Sequence, residues 1–194
     1  MKKLFALTLL ALALAGCDKL ASKPVAFNNV DITGAAYARD FALTDHNGKA
    51  RTLADFKGKV VLLFFGFTQC PDICPTTMSE MAAVLKLLGE DAKDVQVLFV
   101  TVDPARDTQK LLSEYVPAFH PSFLGLVGDD AATRKVGQEF KVFFAKAPGA
   151  TADSYSMDHT AGSYVFDKTG KVRLFIRHDK GAAPLAQDLK QLLH

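Results

Sequence analysis

The stretch Val60-Val61-Leu62-Leu63-Phe64-Phe65-Gly66-Phe67-Thr68-Gln69-Cys70-Pro71-Asp72-Ile73-Cys74-Pro75-Thr76-Thr77 decides the architecture. Nothing polar interrupts Val60 to Phe65, so those six residues read as a strand covered on both faces, the pattern of a central strand in an α/β sheet. A short loop follows, and after Pro75 the residues Met78, Met81, Ala82, Leu85 and Leu88 recur at three- and four-residue intervals. That spacing predicts an amphipathic helix stopping near Gly89. Cys70 and Cys74 therefore sit where strand becomes helix. The positive end of a helix dipole at that place favours thiolate over thiol.

Downstream of this unit the chain keeps alternating. Val95 to Val102 is a second nearly continuous apolar run, ended by Asp103-Pro104. Asp107 or Thr108 can cap a helix reaching about Val116. Phe123 to Val127 reads as a strand, and Asp129 or Asp130 starts a helix to about Phe140. A brief strand is expected at Val142 to Ala145, followed by a loop from Lys146 to Ser156. Ser163 to Asp167 and Val172 to Arg177 form a hairpin around Lys168-Thr169-Gly170, and Ala182 to Leu193 closes the chain as a helix. Upstream, Phe41 to Thr44 and Ala50 to Leu53 flank Asn47-Gly48, a strong hairpin turn signal because both residues tolerate positive φ. The order βαβ followed by ββα is that of the thioredoxin fold. The expectation is an α/β, thioredoxin-like domain over 40–194, with a central mixed sheet, helices on both faces and an extra N-terminal hairpin.

The N-terminus reads as an address. Lys2 and Lys3 precede an apolar run from Leu4 to Ala15, too short for the ~20 residues of a membrane-spanning helix. Its end, Leu14-Ala15-Gly16-Cys17, resembles the bacterial lipoprotein processing box. The resemblance implies a signal peptide over 1–16, cleavage before Cys17 and a lipid on the Cys17 sulfur. Residues 17–39 then read as a lipidated tether, mixed small and polar with Pro24 and no sustained period. Removing Lys2 and Lys3 from the 23 basic residues leaves 21 against 21 acidic ones, so the mature chain is near neutral and carries no electrostatic footprint for nucleic acid. With Cys17 lipidated, only Cys70 and Cys74 remain as thiols, too few for a disulfide-braced scaffold.

Cys70 and Cys74 are four residues apart, where a redox pair of the thioredoxin kind has two intervening residues. Two outcomes stay open. The sulfurs can close a disulfide, or they can converge on a metal ion. Pro71 and Pro75 each fix a φ directly after a cysteine, so the loop is stiff. Among the five histidines, His46, His120, His178 and His194 read as bystanders. His159, in Met157-Asp158-His159-Thr160, precedes the Ser163 strand, in a loop that abuts the cysteine helix in a thioredoxin-like fold. Two thiols and an imidazole make a soft-to-borderline, three-coordinate set that suits copper. Structural zinc asks for a fourth protein ligand, for which only Asp72 or Asp158 is at hand. Both aspartates are candidates for a supporting role beside the ligands. Asp103 and Arg106 are expected to pair and brace the neighbouring loop.

The motif Gly66-Phe67-Thr68-Gln69-Cys70-Pro71-Asp72-Ile73-Cys74-Pro75 resembles the copper motif of the Sco/SenC proteins, assembly factors for cytochrome c oxidase. Thr101-Val102-Asp103-Pro104-Ala105-Arg106-Asp107-Thr108 is similar to their second signature. Asp158-His159-Thr160 falls where that family has its histidine ligand, 85 residues after Cys74. The resemblance spans roughly residues 40 to 193. It implies copper bound by Cys70, Cys74 and His159, received from a periplasmic copper donor. It also implies delivery to the copper A site of oxidase subunit II, or reduction of that site's cysteines by Cys70 and Cys74 as a redox-active pair. The expectation is thus a metallochaperone rather than an enzyme, held by lipid at the periplasmic face of the bacterial inner membrane. An extracytoplasmic thiol-disulfide oxidoreductase is the alternative.

Overall fold

In the computed structural model the described residues are 26–149, 151 and 154–194. The expected signal peptide, the lipidation site Cys17 and the first part of the tether lie outside them.

The predicted central strand is β4, Val60–Gly66, and all seven of its residues are buried. It runs parallel to β5, Val95–Thr101, in a register from Val60↔Val95 to Gly66↔Thr101. On its other side it is antiparallel to β9, Ser163–Phe166. A strand whose inward and outward side chains are all apolar and all buried needs a covering layer on each face, and helices supply both. The first is α1, Ile73–Leu88, which packs against α4, Ala182–Leu193. On the opposite layer α2, Gln109–Tyr115, lies on β6, Leu124–Val127, and α3, Asp130–Glu139, approaches β2, Ala42–Asp45. The eight-stranded sheet also holds β1, Val30–Asp31, β3, Ala50–Thr52, and β10, Val172–Ile176. Its order is β1-β10-β9-β4-β5-β6-β2-β3, with the expected N-terminal hairpin β2–β3 at one edge. Gly48 takes φ +85° in the turn of that hairpin, as the Asn-Gly signal requires.

Two expectations are corrected. The tether was expected to run to residue 39, but residues 26–39 are fixed to the domain. Val30–Asp31 forms β1 against β10. The buried carboxylate of Asp188 on α4 accepts the backbone N–H groups of Asn28 (2.8 Å) and Asn29 (2.9 Å) and also both side-chain amides. Ala38 is wholly buried, its N–H donating to the Glu139 carbonyl. Period-based reading misses such a segment, because two paired residues and one buried alanine leave no repeat to detect.

The second correction concerns residues 142–159. Where a brief strand and a long loop were expected, the chain forms an antiparallel hairpin of β7, Phe144–Pro148, and β8, Tyr155–His159. It is a separate two-stranded sheet. Only Met157 of its ten residues is buried. With so little apolar burial the hydrophobic alternation is weak, and the Ala-, Gly- and Pro-containing sequence from Lys146 to Ser156 reads as loop.

Candidate metal centre

The site forms at the C-terminal end of β4, the end at which open α/β sheets place ligands. Gly66 closes the strand, and the absence of a side chain there is required. A Cβ at this position would lie 2.9 Å from the rings of Phe64 and Phe99 and 3.0 Å from the Cys74 sulfur. The chain then turns through Thr68 and Gln69, with the Cys70 N–H donating to the Phe67 carbonyl (3.2 Å).

The helix begins at Ile73, two residues before the expected start, so Pro75 lies within its first turn. A proline is tolerated there because first-turn N–H groups have no intrahelical acceptor. Cys74 is helical and Cys70 precedes the helix. Both are free thiols, Cys74 buried and Cys70 half-buried. The Cys70 sulfur accepts the Cys74 N–H at 3.4 Å, taking one of the donors a helix N-terminus leaves open. Asp72, at the N-cap position, makes no capping bond with its side chain and is exposed.

The expected thiolate bias does not hold at Cys74. Burial pushes its thiol well above the ordinary cysteine range, outweighing the opposing backbone hydrogen bond at Phe67. Desolvation of a sulfur with no exposed surface overrides the helix dipole. Burial thus favours the thiol over the thiolate at Cys74.

His159 stands at the last residue of β8 rather than in a loop. Its Nε2 lies 3.9 Å from the Cys74 sulfur. Metal–thiolate and metal–imidazole bonds of about 2.3 and 2.0 Å put two ligands of one trigonal ion ~3.7 Å apart, so this pair is at ligand spacing. Burial lowers the His159 pKa, while the Thr160 hydrogen bond and the Asp158 charge act the other way. In the neutral ring, Nδ1–H donates to the Thr160 carbonyl at 3.1 Å, which leaves the Nε2 lone pair facing the sulfur. The ring also meets Phe67 edge-on, 5.9 Å between centroids. Asp158 is exposed on β8, paired across the hairpin with Ala145.

Among the described residues, no group of three or more His, Cys, Asp or Glu side chains is already closed into a metal-holding cluster. Cys74 and His159 meet, and Cys70 adjoins through the N–H that its sulfur accepts.

Three supporting residues were not assigned their roles from sequence. Asp107 is fully buried and accepts the Thr68 N–H (3.0 Å), the Thr68 hydroxyl (2.6 Å) and the Thr101 hydroxyl (2.6 Å). It holds the cysteine loop to β5, and Thr108 caps α2 in its stead. Burial raises the Asp107 pKa, an effect that its three hydrogen bonds oppose. Gln69 and Tyr155 join the expected Asp103–Arg106 pair. The available signal was an Asp directly after a buried strand and turn, since a buried carboxylate has to find donors.

The family model for SCO1/SenC matches residues 30–194. The SCO2-like protein of Rickettsia felis is 40% identical over 152 residues, covering 78% of this chain and 70% of its own length. Among solved structures, ScoI of Bradyrhizobium japonicum with copper bound is 42% identical, with a TM-score of 0.72, and covers 79% of this chain and 97% of that one. Yeast Sco1 with copper bound is 30% identical, with a TM-score of 0.71, over 78% of this chain and 85% of that one.

Proposed function

The chain belongs to the SCO1/SenC family, and from that premise we propose that it carries copper as cargo, held by Cys70, Cys74 and His159, for the assembly of cytochrome c oxidase. The recipient in this reading is the copper A site of oxidase subunit II, and a periplasmic donor supplies the metal. The observation that carries it is the 3.9 Å approach of His159 Nε2 to the Cys74 sulfur, with the Cys70 sulfur beside them, accepting the Cys74 N–H. A soft thiol pair completed by one imidazole is a donor set for Cu(I) that also tolerates Cu(II). A rotamer change of half-buried Cys70 frees its sulfur from the Cys74 N–H to complete the set.

In the same reading the lipid on Cys17 holds the protein at the periplasmic face of the inner membrane. No helix among the described residues is long and apolar enough to cross a membrane. Asp72 and Asp158 act on the site from outside, through charge.

A second reading, reduction of a disulfide on the recipient, is supported by the asymmetry of the pair. Cys70 is half-buried and able to meet a partner, while Cys74 behind it is buried and able to resolve a mixed disulfide.

The test is anaerobic copper titration of the full chain. One copper per chain is expected, with a visible thiolate-to-Cu(II) charge-transfer band on oxidation, both abolished in Cys70→Ala and in Cys74→Ala, while His159→Ala binds copper more weakly and without an imidazole ligand. Binding unchanged in His159→Ala would remove the three-ligand site. Trapping of the recipient by Cys74→Ser in a His159→Ala background that still supports oxidase assembly would favour the second reading.

A further inference from the structure

The segment Asp103–Asp107 lies between the two halves of the candidate site and is bonded to both. Toward the cysteines, Asp107 holds the backbone and hydroxyl of Thr68. Toward the hairpin, Asp103, itself buried, accepts the Tyr155 hydroxyl at 2.9 Å and pairs with Arg106. Arg106 then reaches both sides at once. Its Nη1 donates to the Tyr155 carbonyl on β8 (2.7 Å) and to the Gln69 side-chain oxygen beside Cys70 (3.0 Å). The guanidinium stacks on the Tyr155 ring, 3.7 Å to its centroid, and stands 5.9 Å from the Phe67 ring that meets His159.

These contacts matter because the hairpin has few other holds, chiefly Phe144, half-buried against the core beside Gly137. Its two strands form their own sheet. Behind it lies a cavity of about 170 Å³, lined by Asp103, Thr133, Phe144 and Met157 among others. Two polar atoms in this region, Arg106 Nη2 and Thr133 Oγ1, are buried without a partner. An unsatisfied guanidinium N–H is a cost, so the side chain is not seated there by full satisfaction of its donors. Its planar fork and flat face meet an amide oxygen, a carbonyl and an aromatic ring together, which the point charge of a lysine cannot do.

We infer that Arg106 is a positioning residue. With Asp103 it latches Tyr155 on the His159 hairpin to Gln69 beside Cys70, and so sets the approach of the imidazole to the two thiols. The inference rests on the copper reading for its consequence at the metal, but the latch itself is a property of the metal-free chain. Releasing it leaves the hairpin attached at its base, through the Thr160 N–H to the Phe143 carbonyl and the Phe143 N–H to the Thr160 hydroxyl, with Phe144 half-buried against the core beside Gly137 and Met157 as its one buried residue. His159 then samples a wider range of positions, and the nitrogen ligand is lost before the sulfurs are.

Amide hydrogen exchange on the metal-free full chain tests the latch, comparing wild type with Arg106→Ala and Arg106→Lys. Both variants are expected to exchange the amides of Tyr155 to Thr160 at least about tenfold faster, with those of β4 and β5 unchanged. Unchanged hairpin amides, acceleration spread equally over β4 and β5, or failure of both variants to fold would overturn it. Electron paramagnetic resonance of the Cu(II)-loaded chains reads the consequence. The variants are expected to keep the thiolate charge-transfer band and lose most of the imidazole nitrogen coupling. Coupling equal to wild type would overturn the effect on His159. Wild type without nitrogen coupling would contradict the copper reading, while the exchange result still decides the latch.

Discussion

The β4–β5 pair and the β7–β8 hairpin each bring candidate metal ligands to one place, and they do so with unequal security. All fourteen residues of β4 and β5 are buried, and their parallel register is continuous. The hairpin has one buried residue and a two-stranded ladder of its own. Apolar burial sets how often an element opens, so Cys74 stands on the most persistent part of the molecule and His159 on a weakly held one. A soft-metal site divided this way can keep its sulfurs fixed while the nitrogen comes and goes. In the function proposed above, that division suits release of the cargo.

The largest effects should follow from the buried side. Removing the Asp107 carboxylate strands two hydroxyls and an N–H, so Asp107→Ala should lower stability by about 3 kcal/mol, or ~6–12 °C in Tm for a domain of this size. A change below ~2 °C in thermal unfolding would show that the cysteine loop needs no such anchor. Gly66→Ala puts a Cβ against Phe64, Phe99 and the Cys74 sulfur, and overpacking of that kind costs about 1–3 kcal/mol. It should also weaken copper binding, since the sulfur has to yield, and unaltered titration would break the link between strand and site.

Acid should act on buried imidazoles. Burial lowers the pKa of His46, whose Nδ1 accepts the Gly125 N–H at 3.0 Å. It also lowers that of His178, against the opposing charges of Glu80 and Asp179. Above an unfolded pKa of ~6.5 both states are neutral and nothing is gained or lost. Below it the unfolded chain takes up protons first, so stability falls as pH drops through and below 6.5. A Tm measured on the metal-free chain should therefore decline from pH 7 to 5, with a shallower slope in His46→Gln. The smallest effect belongs to the hairpin surface. Lys146 lies over the Tyr155 ring, 4.4 Å to its centroid, and Lys146→Ala should change stability by less than ~0.5 kcal/mol. A larger loss would mean that the hairpin is as firmly built as the central strands.

The same contrast explains what could be read from sequence. The central strand, the helix from the cysteines to Gly89, the second strand and the terminal ββα unit all carry sustained apolar periods, because burial on a regular element imprints its repeat on the chain. The hairpin strands and the β1 segment carry none. They are held by specific polar contacts, Asp188 to Asn28 and Asn29 in one case and Arg106 to Tyr155 in the other. Such contacts join residues far apart in sequence and follow no spacing rule. The site divides along the same line. Cys70 and Cys74 announce themselves by their place at a strand end, and His159 became a candidate from its position before a strand and from family resemblance. The roles of Asp107, Gln69 and Tyr155 required the folded chain. The dipole argument for a thiolate failed at Cys74 for a similar reason, since how deeply a sulfur is buried is decided by Gly66 and the packing around it.

Copper-edge X-ray absorption on the loaded full chain and on its His159→Ala variant tests most directly whether one site spans the two regions. Two sulfurs and one imidazole nitrogen are predicted for the wild type, with the nitrogen missing from the variant. Two sulfurs without an imidazole in both chains would contradict a site shared between β4–α1 and the hairpin.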